Sequence, residues 1–130
     1  MEDYGNHRIL IVEDDAYIRE MVTQMLRENG FEVITANNGR DGLNAAFSQH
    51  PSLIILDIIM PELDGLSVLE QLRTDDWGKK VPVIIHTNLS PDADSTMQAI
   101  IKHKPAFYLV KAEVSLKDIM NKIKEVLQIT

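Results

Sequence analysis

Short runs of β-branched and leucine residues, each ending abruptly in a charged or hydroxyl-bearing residue, recur along the chain and alternate with longer amphipathic stretches. Ile9 to Val12 is continuously apolar, as a strand is when both of its faces are buried. Glu13-Asp14-Asp15 stops it. Leu53 to Leu56 repeats the pattern and stops at Asp57. Val83 to Ile85 leads to Thr87, Ala106 to Val110 stops at Lys111, and Phe31 to Thr35 reads as a further strand.

Between these runs the apolar residues fall at helical spacing. Ile18, Met21, Val22, Met25 and Leu26 form one such set, with Gly30 as its C-terminal stop. A short helix over Leu43 to Gln49 follows the Asn37-Asn38-Gly39 turn, and Leu66, Val68, Leu69 and Leu72 follow the loop Met60 to Gly65. Ser90-Pro91-Asp92 reads as the start of a helix carrying Met97, Ile100 and Ile101. Ser115 opens the last helix with a Ser-Leu-Lys-Asp capping pattern. Five strand–helix alternations predict an α/β fold: a doubly wound, five-stranded parallel sheet with helices on both faces. A single domain over residues 1–130 is expected, with its ordered core over about 7–128.

Composition narrows the function classes. Without cysteine there is no disulfide framework, thiolate metal site or cysteine nucleophile. A formal net charge of −7 argues against direct nucleic-acid binding, which needs a basic face. No apolar run approaches the length of a membrane span, and the polar, acidic N-terminus does not resemble a secretory signal. A cytoplasmic protein with no membrane partner is expected.

In a doubly wound sheet, ligands bind outside the carboxyl ends of the strands. Glu13, Asp14, Asp15, Asp57, Thr87 and Lys111 all fall on that edge if the strands are parallel. Clustered carboxylates repel, and a hard divalent cation such as Mg2+ relieves the repulsion through oxygen ligands. Carboxylates, a hydroxyl and an ammonium around such an ion suit phosphoryl chemistry.

The segments Ile9-Leu-Ile-Val-Glu-Asp-Asp15, Leu53-Ile-Ile-Leu-Asp-Ile-Ile-Met-Pro-Glu-Leu-Asp-Gly65, Val81-Pro-Val-Ile-Ile-His-Thr87 and Tyr108-Leu-Val-Lys111 resemble the receiver domain of two-component response regulators. The resemblance covers nearly the whole chain and implies the flavodoxin-like strand order 2-1-3-4-5. It implies that Asp57 is the phosphoacceptor, taking a phosphoryl group from a histidine kinase or phosphotransfer protein. Asp14 is implied as a direct Mg2+ ligand, with Glu13 acting mainly through water, and with an Asp57 oxygen and the Ile59 carbonyl completing the protein's share. Lys111 is implied to pair with Asp57 and then with the phosphate, and Thr87 to donate a hydroxyl hydrogen bond to a phosphate oxygen. Thr87 and Tyr108 are implied as the switch pair that alters the surface around the fourth helix and fifth strand. Asp15 reads as the cap of the first helix.

The resemblance further implies a signalling phosphoprotein, not an enzyme, with at most slow self-dephosphorylation. It admits a phosphorylation-dependent dimer and an unknown output partner or missing effector domain. Haloacid-dehalogenase-type phosphatases and topoisomerase–primase domains also place acids at strand ends, but they use a D-x-D pair, and here Ile59 follows Asp57 by two. A pseudo-receiver that binds a partner without phosphorylation is the alternative. Three departures fall near the output face: Asn88 after Thr87 where a small residue is usual, Ala112 after Lys111 where Pro is usual, and Lys102-His-Lys-Pro105 before the fifth strand. With alanine at this position, a trans peptide bond is expected there. His86 is expected to be a packed strand histidine, and Trp77 a partly covered surface anchor.

Overall fold

The computed structural model describes residues 4–90 and 94–130. Five strands, β1 (Tyr4–Val12), β2 (Phe31–Ala36), β3 (Leu53–Leu56), β4 (Val83–Thr87) and β5 (Phe107–Val110), form one sheet in the order β2-β1-β3-β4-β5. Every neighbouring pair is parallel. Helices α1 (Ala16–Glu28), α2 (Gly39–Gln49), α3 (Gly65–Arg73), α4 (Asp94–Lys102) and α5 (Leu116–Leu127) connect and follow the strands.

The apolar runs divide by alternation into two cores. Leu10, Val12, Ile54, Leu56, Val83 and Ile85 face Leu43 and Ala46 of α2, Val68, Leu69 and Leu72 of α3, and Ile100 of α4. Ile9, Ile11, Leu53, Ile55, Ile84 and Leu109 face Val22 and Leu26 of α1 and Ile119, Met120 and Ile123 of α5. Successive strand residues point to opposite sides, so burial on both sides demands an uninterrupted apolar run.

Helix ends follow their capping chemistry. Asp15 accepts from the Ile18 N–H at 3.1 Å, as expected of a cap. Ser115 accepts from the Asp118 N–H at 3.1 Å while Asp118 accepts from the Ser115 N–H at 2.8 Å, which completes the capping box. Asn29 closes α1, and Gly30 takes the left-handed φ of 92° that suits glycine.

Several boundaries differ from the sequence reading. β1 begins at Tyr4, well before the Ile9 expected and ahead of the expected ordered core, because Tyr4 pairs with Phe31 and stacks on its ring. β4 runs past its apolar run through His86 to Thr87, the strand end that the sequence marked, and both polar residues are buried. α2 starts at Gly39, capped by Asn38, and β5 starts at Phe107. Pro91 and Asp92 of the expected α4 start lie outside the described residues. No cis peptide bond occurs among the described residues.

At the edge opposite the acidic strand ends, the Arg73 guanidinium donates to the carbonyls of His103, Gly78, Val81 and Lys104 at 2.7–3.2 Å. It joins the connection before β4 to the one before β5. Trp77, half-buried nearby, stacks on His50 with ring centroids 4.2 Å apart, as expected of a surface anchor.

Candidate functional site

The chain leaves β1 for β2 on one side and returns to β3 on the other, so the strand order reverses between β1 and β3. The acids sit at that reversal. The Asp57 N–H bonds to the Val12 carbonyl at 3.1 Å, and the Glu13 N–H to the Ala36 carbonyl at 3.0 Å, so both backbones are extensions of the parallel ladder. Gly65 lets the loop after β3 return against it: its N–H reaches the Ile58 carbonyl at 2.8 Å, and a Cβ there would lie 2.0 Å from the Asp57 carbonyl oxygen.

Glu13, Asp14 and Asp57 each offer a carboxylate oxygen, all lying within 4.8 Å of one another. Glu13 and Asp57 are buried, and Asp14 is exposed at the rim. The Lys111 Nζ enters from β5 and lies 2.8 Å from Asp57 Oδ2 and 2.7 Å from Glu13 Oε1. Its ammonium therefore bridges two carboxylates, where the sequence reading gave it Asp57 alone. Burial disfavours that charge, but the hydrogen bonds to Asp57 and Glu13 outweigh it and hold the Lys111 pKa above its ordinary value. Burial pushes the Glu13 carboxyl up, with the nearby Asp57 charge adding to it, against the lowering effect of Lys111 and the Asp15 N–H.

Three carboxylates facing one ammonium leave an uncompensated negative charge among hard oxygen donors, a donor set that fits Mg2+. Ile59 lies in the loop after Asp57, its side chain exposed and its N–H 3.3 Å from Asp57 Oδ1. Thr87 ends β4 fully buried, and its Oγ1 accepts from the Leu89 N–H at 3.3 Å, which leaves the hydroxyl proton free to donate. Tyr108 is half-buried on β5, and its hydroxyl donates to the Leu89 carbonyl at 2.7 Å. Thus Glu13, Asp14, Asp57 and Lys111 converge, and Thr87 and Tyr108 meet in the loop after β4.

Two contacts escaped the sequence reading. Arg19 Nη1 donates to the Glu13 carbonyl at 2.9 Å and the Asp14 carbonyl at 3.4 Å, bracing the acidic turn. A cation this near a helix N-terminus opposes the helix dipole, and that was the available signal. Asn88 Oδ1 accepts from the Ala112 N–H at 3.1 Å, so two of the departures touch each other.

The sequence matches the family described as response regulator receiver domain over residues 9–124. The chain belongs to that family. This receiver domain is similar to a receiver domain protein from Methanospirillum hungatei JF-1, with a TM-score of 0.85 and 29% identity over 94% of each chain. It also resembles the receiver domain of a sensor histidine kinase from Pseudomonas aeruginosa PAO1, whose structure has a magnesium ion coordinated in the active site cleft. That match has a TM-score of 0.81 at 25% identity, covering 92% of this chain and 95% of that one. A probable transcriptional regulator from Pyropia yezoensis is 41% identical over 87 residues, which is 67% of this receiver domain and 35% of the relative. The receiver domain thus spans about a third of the length of that relative. No helix among its described residues is long and apolar enough to cross a membrane.

His86 is buried on β4 behind the site, and burial lowers its pKa to about 4, with Lys111 adding to this and Asp57 opposing it. The unfolded chain takes up the proton near 6.5 and the folded one only near 4, so stability falls as pH drops between those values. The loss levels off at roughly 3 kcal/mol below the folded value. Urea midpoints measured from pH 7 down to pH 4 should show that slope, and His86→Leu should flatten it.

Proposed function

We propose that this receiver domain accepts a phosphoryl group on Asp57 from a histidine kinase or phosphotransfer protein, in the presence of Mg2+. The supporting observation is the part-buried Lys111 ammonium held between Asp57 and Glu13 beside a three-carboxylate cluster. An Asp57 carboxylate oxygen attacks phosphorus, the new O–P bond forms as the donor N–P bond breaks, and the imidazole nitrogen leaves with the bonding pair. Glu13, Asp14, an Asp57 oxygen and the Ile59 carbonyl would hold the ion. Mg2+, when bound, offsets the charge of the carboxylates and the incoming phosphoryl oxygens.

Lys111 keeps its proton throughout and turns from carboxylate to phosphoryl oxygen, and Thr87 donates its hydroxyl to another. As the loop after β4 follows Thr87, Leu89 draws away from Tyr108, and the surface formed by α4 and β5 changes. The protein supplies the acceptor residue itself and is not an enzyme with a diffusible substrate. The donor has to land on the rim beside Asp57. Ile18, Met21, Val114 and Leu116 offer it an apolar surface around a hollow of about 200 Å3 next to Lys111. The output partner or effector domain is of the kind that longer regulators carry, and a cytoplasmic setting follows from this role.

Beryllofluoride with Mg2+ tests the assignment without a kinase. The wild-type domain should bind it with large amide shifts around Asp57 and Thr87. Asp14→Ala should lose Mg2+ affinity at least tenfold, since a direct carboxylate ligand is gone. An unaltered Mg2+ titration in that variant would remove Asp14 from the ligand set, and no beryllofluoride binding in the wild type would favour the phosphorylation-independent alternative.

A further inference from the structure

We propose that Asn88 is a positioning residue that sets the Lys111 ammonium by clasping the backbone that follows it. The Ala112 N–H donates to Asn88 Oδ1 at 3.1 Å, linking the loop after β4 to the turn after β5 across 24 residues of sequence. Lys111 opens that turn, a single 3-10 turn over Lys111–Glu113. The first N–H groups of so short a turn have no partner within it. Asn88 supplies the acceptor, and Ala112 supplies an N–H that proline would lack.

Lys111 is consequently held from both sides. Before it, Val110 is in register with Thr87 at the end of the β4–β5 ladder. After it, the next N–H is tied to the residue that follows Thr87. The adjacent Leu89 carbonyl takes the Tyr108 hydroxyl, so the same loop is stitched twice to the β5 end. A lysine side chain has four flexible carbons, and its tip reaches two carboxylates at once only if its Cα stays in place. Asn88 and Ala112 are both exposed, so water readily replaces the hydrogen bond when it is cut. Water satisfies the N–H, but it does not tether the turn. Cutting the clasp therefore affects position far more than stability.

This inference rests on the proposed phosphoryl acceptance only for its rate readout. The direct readout is the Lys111 side-chain ammonium signal in 15N NMR, visible when the buried ion pairs slow its exchange with solvent. Asn88→Ala should speed that exchange and reduce Asp57 phosphorylation by acetyl phosphate roughly tenfold, as expected for a misplaced charge, with little change in thermal midpoint. Asn88→Asp keeps an oxygen acceptor and should restore the ammonium signal. In an Ala112→Pro background, which has no N–H to clasp, Asn88→Ala should have no additional effect. Unchanged ammonium exchange in Asn88→Ala would overturn the proposal, as would a full additional effect in the Ala112→Pro background. A wild-type domain that takes no phosphoryl group defeats the proposed function alone, because the ammonium readout still decides the clasp.

Discussion

Asp57→Asn should abolish covalent phosphorylation by acetyl phosphate and Mg2+, while the wild-type domain gains the mass of a single phosphoryl group. The amide is nearly isosteric with the carboxylate but lacks the charged oxygen that attacks phosphorus. The fold should survive, because Lys111 keeps its 2.7 Å partner Glu13 and a negative charge is removed from a crowded acidic pocket. Intact mass spectrometry of the two proteins makes the comparison. An equal mass gain in Asp57→Asn would place the acceptor elsewhere and sink the assignment, since Asp57 is the carboxylate that directly follows β3 and meets the Lys111 ammonium.

Lys111→Met should be the most destabilising single change at the site. It leaves the buried Glu13 and Asp57 carboxylates facing each other with no cation between them. Removing one partner of a buried ion pair costs about 3 kcal/mol or more, mostly because the other charge is stranded. Urea denaturation in EDTA should show this loss, and added Mg2+ should recover much of it by binding the folded state. Phosphorylation should also slow by about 100-fold, the usual effect of losing one charge-stabilising donor. In the wild type the Lys111 pKa is raised on folding, so its contribution is complete at neutral pH and disappears only in alkali, as pH rises past its ordinary value toward the folded one. A variant as stable as the wild type in EDTA would show that the Lys111 ion pairs do not stabilise the fold.

The strand cores were legible because double-sided burial leaves a mark in the sequence: Ile9 to Val12 and Leu53 to Leu56 have no polar interruption. Caps were legible because they are local, as Asp15 and Ser115 show. The first half of β1 was not, since Gly5, Asn6, His7 and Arg8 carry no apolar signal and Tyr4 gains its place by meeting Phe31 and the Gly30 carbonyl far along the chain. The apolar run of β4 stops at Ile85, but its position in the alternation still put His86 on the strand and Thr87 at its end, and both are buried there. At the site, residue types and strand ends announced Glu13, Asp14, Asp57, Thr87 and Lys111. The second arm of the Lys111 bridge, the Arg19 brace and the Asn88 clasp depend on side-chain reach between distant segments, which no periodicity encodes.

Arg73 bears on how signalling motion can travel. One guanidinium grips the carbonyls of His103 and Lys104, immediately beyond α4, and those of Gly78 and Val81 before β4. Sliding of α4 along its own axis would break that grip at once. A swing about the gripped end would not, so a tilting α4 would pivot at the rim opposite the acidic strand ends. In the proposed switch, small displacements beside Thr87 would then become angular displacement of the helix, which a partner on that face would sense as tilt.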